Sequence, residues 1–134
     1  SHLSLSITPK SVNSKILLTA NVFFEGHNTN LQAYTWSMYR DSTKLCAPAA
    51  GSRTRCIAGT SAGYHTSDAA STADSANFHY YDSPNTTSAI TYAVSFNSTA
   101  STGQTIYFNR TKTDSDANSM ERGISILIAQ EIGG

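Results

Sequence analysis

An all-β fold, an antiparallel β-sandwich of about eight short strands, follows from three features of this 134-residue chain. Apolar residues recur with period two from one end to the other, the pattern of strands with one buried face. Helical periodicity is almost absent, and clusters of Gly, Pro, Asn, Asp and Ser punctuate the apolar segments at the spacing of turns. The length suffices for one complete core and not for two ordinary domains, so residues 1–134 read as a single unit.

The elements follow in order. The segment LSLSI at 3–7 alternates Leu3, Leu5 and Ile7 with serines and stops before Pro9. A longer strand, SKILLTANVFF at 14–24, ends in EGHNTN, which is turn chemistry. In LQAYTWSMYR at 31–40, Tyr34, Trp36 and Met38 share a face that needs either a core or a partner. RCIAGT at 55–60 and NFHYY at 77–81 are shorter strands. Between them, SAGYHTSDAASTADSA is Gly-interrupted, carries no apolar stripe and reads as a long surface loop. SAITYAVSF at 88–96 is the cleanest strand, with Ile90, Tyr92, Val94 and Phe96 on one face. Before it, Asp82, Pro84 and Asn85 form a turn in which Asp82 bonds its own backbone. QTIYFNR at 104–110 and GISILIAQEI at 123–132 complete the set. The last is apolar on both faces, so its outer face calls for a neighbouring subunit, with Ile124, Ile126, Leu127 and Ile128 as the candidate trimer interface. The same argument applies to the adjacent Phe23 and Phe24, which must point opposite ways.

Composition narrows the function. The net charge is zero and only 13% of residues are charged, so no broad basic surface exists to hold nucleic acid. No apolar run reaches the roughly 18 residues of a membrane-spanning helix, and membrane insertion is not expected. Polarity comes from Ser, Thr and Asn, a neutral surface that salt and pH affect little and that suits an extracellular or virion setting. Three Asn-X-Ser/Thr sequons, at Asn85, Asn97 and Asn109, are expected by chance in so Ser/Thr-rich a chain.

Candidate sites are few. Cys46 and Cys56 flank a turn segment and are either a cross-strand disulfide or two free buried thiols. Asp114, Asp116 and Asn118 match the first three ligand positions of a calcium loop, but Ser119 and Ser125 stand where that loop needs Gly and Glu, so a solvated acidic turn is the ordinary reading. The four histidines, His2, His27, His65 and His79, show no metal-ligand spacing. No nucleophile motif or carboxylate pair points to catalysis, and no cofactor is implied. Tyrosines are the most suggestive group, because they offer a flat apolar ring with a polar tip; Tyr39, Tyr64, Tyr80 and Tyr81 are the candidate ligand contacts.

Taken together, SKILLTANVFF, YYDSPNTTSAITYAVSF followed by QTIYFNR, and the terminal GISILIAQEI resemble the C-terminal domains of tailed-phage virion proteins, especially fibre-like proteins of cyanobacterial and marine phages. The resemblance implies a jelly roll of the tumour-necrosis-factor and C1q type, assembled as a homotrimer with the last strand near the threefold axis. It also implies a virion-surface fibre tip or knob that contacts other virion proteins and a host-surface polysaccharide or protein, without catalysis. A capsid decoration protein of the same fold is the nearest variant. A secreted C1q-like or lectin-like carbohydrate-binding module, extracellular rather than virion-borne, is the alternative from a different class.

Overall fold

A computed structural model describes residues 3–26, 33–61, 71–98 and 105–133. Among these residues there is no helix, and nine strands alternate with turns: β1 (Ser4–Ile7), β2 (Lys15–Gly26), β3 (Ala33–Arg40), β4 (Thr43–Leu45), β5 (Ala58–Ser61), β6 (Asp74–Asp82), β7 (Ile90–Ser98), β8 (Ile106–Phe108) and β9 (Ile126–Ile132). They form two antiparallel sheets packed face to face. The first runs β1-β7-β3, with β4 and β5 both along the far side of β3; the second runs β6-β2, with β8 and β9 both along the far side of β2. The outer strand of each sheet is therefore made in two pieces. β4 pairs with Met38–Arg40 and β5 with Ala33–Trp36, so residues 46–57 leave the sheet between them. In the same way β8 pairs with Phe24–Gly26 and β9 with Lys15–Asn21, and residues 109–125 leave the second sheet.

The alternation that predicts the strands also fills the core. From the second sheet, Ile16, Leu18, Ala20, Val22, Phe24, Ala76 and Phe78 point inward; from the first, Tyr34, Trp36, Met38, Ile90, Tyr92 and Val94 meet them. The aromatics interlock across the two layers. Phe24 meets Tyr34 edge-on at 5.8 Å between ring centroids and Trp36 at 4.9 Å, while Trp36 stacks on Phe78 at 6.1 Å. Such geometry adds about 0.5–1.5 kcal/mol per pair to area burial. The one polar atom of Trp36 is satisfied, since Nε1–H donates to Thr60 Oγ1 at 3.0 Å. Two glycines make room for rings: a Cβ on Gly26 would lie 2.3 Å from the Tyr34 hydroxyl, and one on Gly123 would lie 2.2 Å from Cγ of Phe23.

Four expectations change. Phe23 does point away from Phe24, but its ring lies over Gly123, so this cover comes from the same chain rather than from a neighbour. β4 was not legible as a strand, because Thr-Lys-Leu is three residues long and mostly polar. β6 begins at Asp74, three residues earlier than its apolar pattern suggests, and takes over the end of what reads as loop. Asp82 is no turn residue: it ends β6 with 5% of its surface exposed, and both carboxylate oxygens face across to the other sheet. Asn85 has the positive φ (53°) of a turn residue, as expected.

Candidate functional site

Two surface regions stand out. The first is the outer face of the second sheet. Along β2 the even residues are core, so Lys15, Leu17, Thr19, Asn21 and Phe23 face out. Register then places Tyr81 and Gln130 on either side of Leu17, His79 and Ile128 beside Thr19, and Asn77 and Ile126 beside Asn21. Ile126, Ile128 and Ile132 are 49%, 51% and 38% exposed, and Ile124 just before β9 is 73% exposed. Successive outward residues on a strand are about 6.6–6.8 Å apart, so Ile124, Ile126 and Ile128 form a run that Gln130 separates from Ile132. Tyr81, 58% exposed, adds an aromatic ring across the sheet. Lys15 and His79 are the basic groups among the outward positions of β2, β6 and β9, and Glu25, at an outward position near the end of β2, is buried with its carboxylate accepting from Thr72 N–H and Lys112 N–H. Leu127 belongs to the other side, packed against the core, and drops out of the candidate interface.

The second region is a groove of about 950 Å³ beside β7. Among the described residues β1 pairs with β7 as far as Ser4 opposite Ala93, and Val94 N–H donates to Leu3 C=O (3.0 Å). The groove has Val94 and Phe96 on one side and Ile106, Tyr107 and Phe108 of β8 on the other. Trp36 lies at the base, its ring centroid 6.1 Å from that of Phe96; Tyr39, Asp41 and Arg110 stand at the rim. Phe96 is 37% exposed although its strand position is an inward one. The guanidinium of Arg110 sits 5.0 Å over the Tyr107 ring and donates to the carbonyls of Thr111 and Lys112.

Asp41 is held in an unusual conformation. It occupies the two-residue connection between β3 and β4 with φ of 50°, its N–H donates to Thr91 C=O at 2.8 Å, and its Oδ1 accepts from Thr91 N–H at 3.0 Å. Those two bonds fix the carboxylate against the start of β7.

The remaining candidates fall elsewhere. Tyr80 packs on the core side of β6 and Tyr81 on the outer face. Tyr39 alone among the four candidate tyrosines lines the groove; Tyr64 lies outside the described residues, as do His2, His27 and His65. Cys46 and Cys56 are free, half-buried thiols on the two arms of the 46–57 excursion, whose neck is closed by the bond from Ala47 N–H to Cys56 C=O (3.2 Å). Asp114 uses both oxygens on Arg122, accepting from Nε at 2.7 Å and from Nη2 at 2.5 Å, and this hydrogen bonding holds its carboxyl below the usual carboxylate range. Asp116 and Asn118 are exposed on the same loop, and no group of three or more metal-ligating side chains occurs among the described residues. Trp36, Asp41, Phe96, Tyr107 and Arg110 are the groove residues that sequence reasoning did not select. Their only linear signal is that Phe96 closes one strand and Tyr107 sits in the next.

In comparisons with protein-family models, curated proteins and solved structures, none matches this chain.

Proposed function

We propose that this domain is a virion structural protein, a fibre tip or knob of jelly-roll type that assembles as a homotrimer and contacts the host cell surface. The observation that carries the reading is the exposed isoleucine column of β9. Soluble monomers seldom expose contiguous apolar patches larger than a few hundred Å², and Ile124, Ile126 and Ile128, each about half exposed or more, with Ile132 beyond Gln130 and Tyr81 and Leu17 inland, form such a patch. The face is almost uncharged, so nothing on it would recruit an oppositely charged partner. A second and third copy of the same neutral face are the natural cover, as in homo-oligomer interfaces that resemble a core cut in two. The sparse charge and the Ser/Thr-rich remainder fit a particle surface that must tolerate varied salt.

The test is the mass of the chain in solution. Light scattering should give a closed trimer, and Ile126→Asp together with Ile128→Asp should give a folded monomer. A wild-type chain that stays monomeric at tens of micromolar would sink the fibre reading. A trimer that binds the capsid and not whole host cells would instead make it a decoration protein. The groove beside β7 favours one further reading, a lectin-like binding module, which is compatible with a fibre tip and differs from it in needing no assembly.

A further inference from the structure

We infer that the groove beside β7 is a binding site for a neutral oligosaccharide, held against its aromatic lining and anchored by the Asp41 carboxylate. The inference names a ligand class and a site for the surface-contacting module proposed above, and so rests on that reading. The volume, about 950 Å³, is at the upper end of the ~300–1,000 Å³ that small-ligand sites occupy. It suits a short chain of sugar rings better than a single one.

The lining carries the aromatic residues Trp36, Tyr39, Phe96, Tyr107 and Phe108 beside aliphatic ones. Phe96 is the clearest case: a residue at an inward strand position keeps 37% of its surface in solvent, and it lines the groove together with Ile106 and Phe108 of β8. Tyr39 and Tyr107 are half-buried and bring ring faces with hydroxyl tips. The carbon-bound face of a pyranose is apolar and its rim is hydroxyl, which is the complement of such a surface. A polar anchor is also present. Asp41 spends Oδ1 on Thr91 N–H, and no bond to its Oδ2 occurs among the described residues; that oxygen can accept from two sugar hydroxyls.

Charge decides between neutral and acidic sugars. Arg110 is the one cation lining the groove, but its guanidinium rests on Tyr107, donates to two carbonyls and lies 4.0 Å from Asp114. Asp41 has no cationic partner among the described ion pairs. An acidic glycan would meet an uncompensated carboxylate, whereas a neutral or amino sugar would not.

Trp36 is the only tryptophan of the chain and lies at the base of the groove, so its fluorescence reports occupancy. The experiment uses an array of neutral and acidic bacterial-envelope oligosaccharides, followed by fluorescence titration of each hit. Neutral chains should bind and shift the Trp36 emission. Phe96→Ala and Tyr107→Ala should each weaken binding about tenfold, the loss of one stacked face. Asp41→Asn, which keeps the bond to Thr91 and is the least disruptive variant, should weaken it about threefold to fivefold. Circular dichroism confirms that each variant is folded, and Ile128→Asp should bind sugar as the wild type does. No binding to any array member, binding that all three groove variants leave intact, or preference for acidic chains or for a peptide would each overturn the assignment. A trimer without sugar binding sinks the groove alone, and a sugar-binding monomer sinks the trimeric fibre alone.

Discussion

The outer faces of the two sheets are built on the same alternation and carry opposite chemistry. On the first sheet the outward positions include Ser4, Ser6, Thr35, Ser37, Thr91 and Ser95, and their hydroxyls find partners within the sheet: Ser6 with Thr91 across β1 and β7 at 3.0 Å, and Thr35 with Asn97 C=O at 3.1 Å. On the second sheet the corresponding edge is a column of isoleucines. A period-two pattern thus says which residues enter the core. Only the identity of the alternate residues says whether the other face meets water or protein. The largest effect expected from this difference is on assembly. Ile128→Asp should abolish the proposed trimer, while Ser4→Asp, at an exposed position on the first sheet, should leave the sedimentation unchanged. If both substitutions dissociated the protein alike, or neither did, the distinction between the faces would have no bearing on association.

Between the two faces the sheets are joined by one buried polar network as well as by the aromatic core. Arg40 of β3 donates to both oxygens of Asp82 of β6 at 2.9 and 3.1 Å, and the Tyr92 hydroxyl of β7 donates to Asp82 Oδ2 at 2.7 Å. Asp82→Ala leaves a partly buried guanidinium and a buried phenol without their acceptor, and the expected loss is about 3 kcal/mol in urea unfolding. This is the second-largest effect, and it should fall on the whole sandwich, because the network spans both layers. A loss below 1 kcal/mol would mean that packing alone joins the sheets.

The same network sets a pH dependence. Burial, reinforced by the hydrogen bond to the Asp82 carboxylate, pushes the Tyr92 phenol well above its ordinary value of about 10. The folded chain therefore holds this proton more tightly than the unfolded chain does. The stability it confers is complete below pH about 10 and is lost as pH rises from there toward the folded-state value. Urea midpoints taken at intervals from pH 8 to 11 should decline more steeply above pH 10 in the wild type than in Tyr92→Phe, in which the other tyrosines supply the common background. Equal slopes would remove the phenol from the linkage.

Eight of the nine strands were legible, seven because each has at least two apolar residues at alternate positions, from Leu5 and Ile7 in β1 to Ile126 and Ile128 in β9, and β5 only through Ile57 and Ala58 at its start. β4 was not, since its single buried residue, Leu45, makes no period. Asp82 misled because Asp-Ser-Pro-Asn is strong turn chemistry, and the strand does end there, with Asn85 three residues on at a φ of 53°. What local sequence could not reveal is that Arg40, forty-two positions away, and Tyr92, ten away, converge on that carboxylate. The groove was illegible for a related reason. Its walls come from strands in different sheets, β7 with Phe96 and β8 with Ile106 and Phe108, a fact about tertiary arrangement rather than composition. Only Tyr39 was singled out in advance, on the ground of its amphipathic ring.

The smallest effect concerns the one part of the second sheet's outer face that the chain covers by itself. Beyond Asn21 the isoleucine column gives way to the 109–125 excursion, whose return strand is pinned by Gly123 N–H to Asn109 C=O at 3.0 Å and by Phe23 N–H to Ser125 Oγ at 2.9 Å. Phe23 lies over Gly123 so closely that a Cβ would stand 2.2 and 2.4 Å from two of its ring carbons. Gly123→Ala must therefore tilt the ring or lift the loop, at a cost of about 1–2 kcal/mol. Placed in a Phe23→Leu background, the same alanine should cost less than about 0.5 kcal/mol, because the smaller side chain yields the space; a double-mutant cycle by urea unfolding measures the difference. Neither substitution should change the trimer, since Phe23 is covered from within while Ile126 and Ile128 are not. Dissociation on replacing Phe23 would extend the subunit seam over the excursion and shift the boundary between self-covered and partner-covered surface away from Asn21.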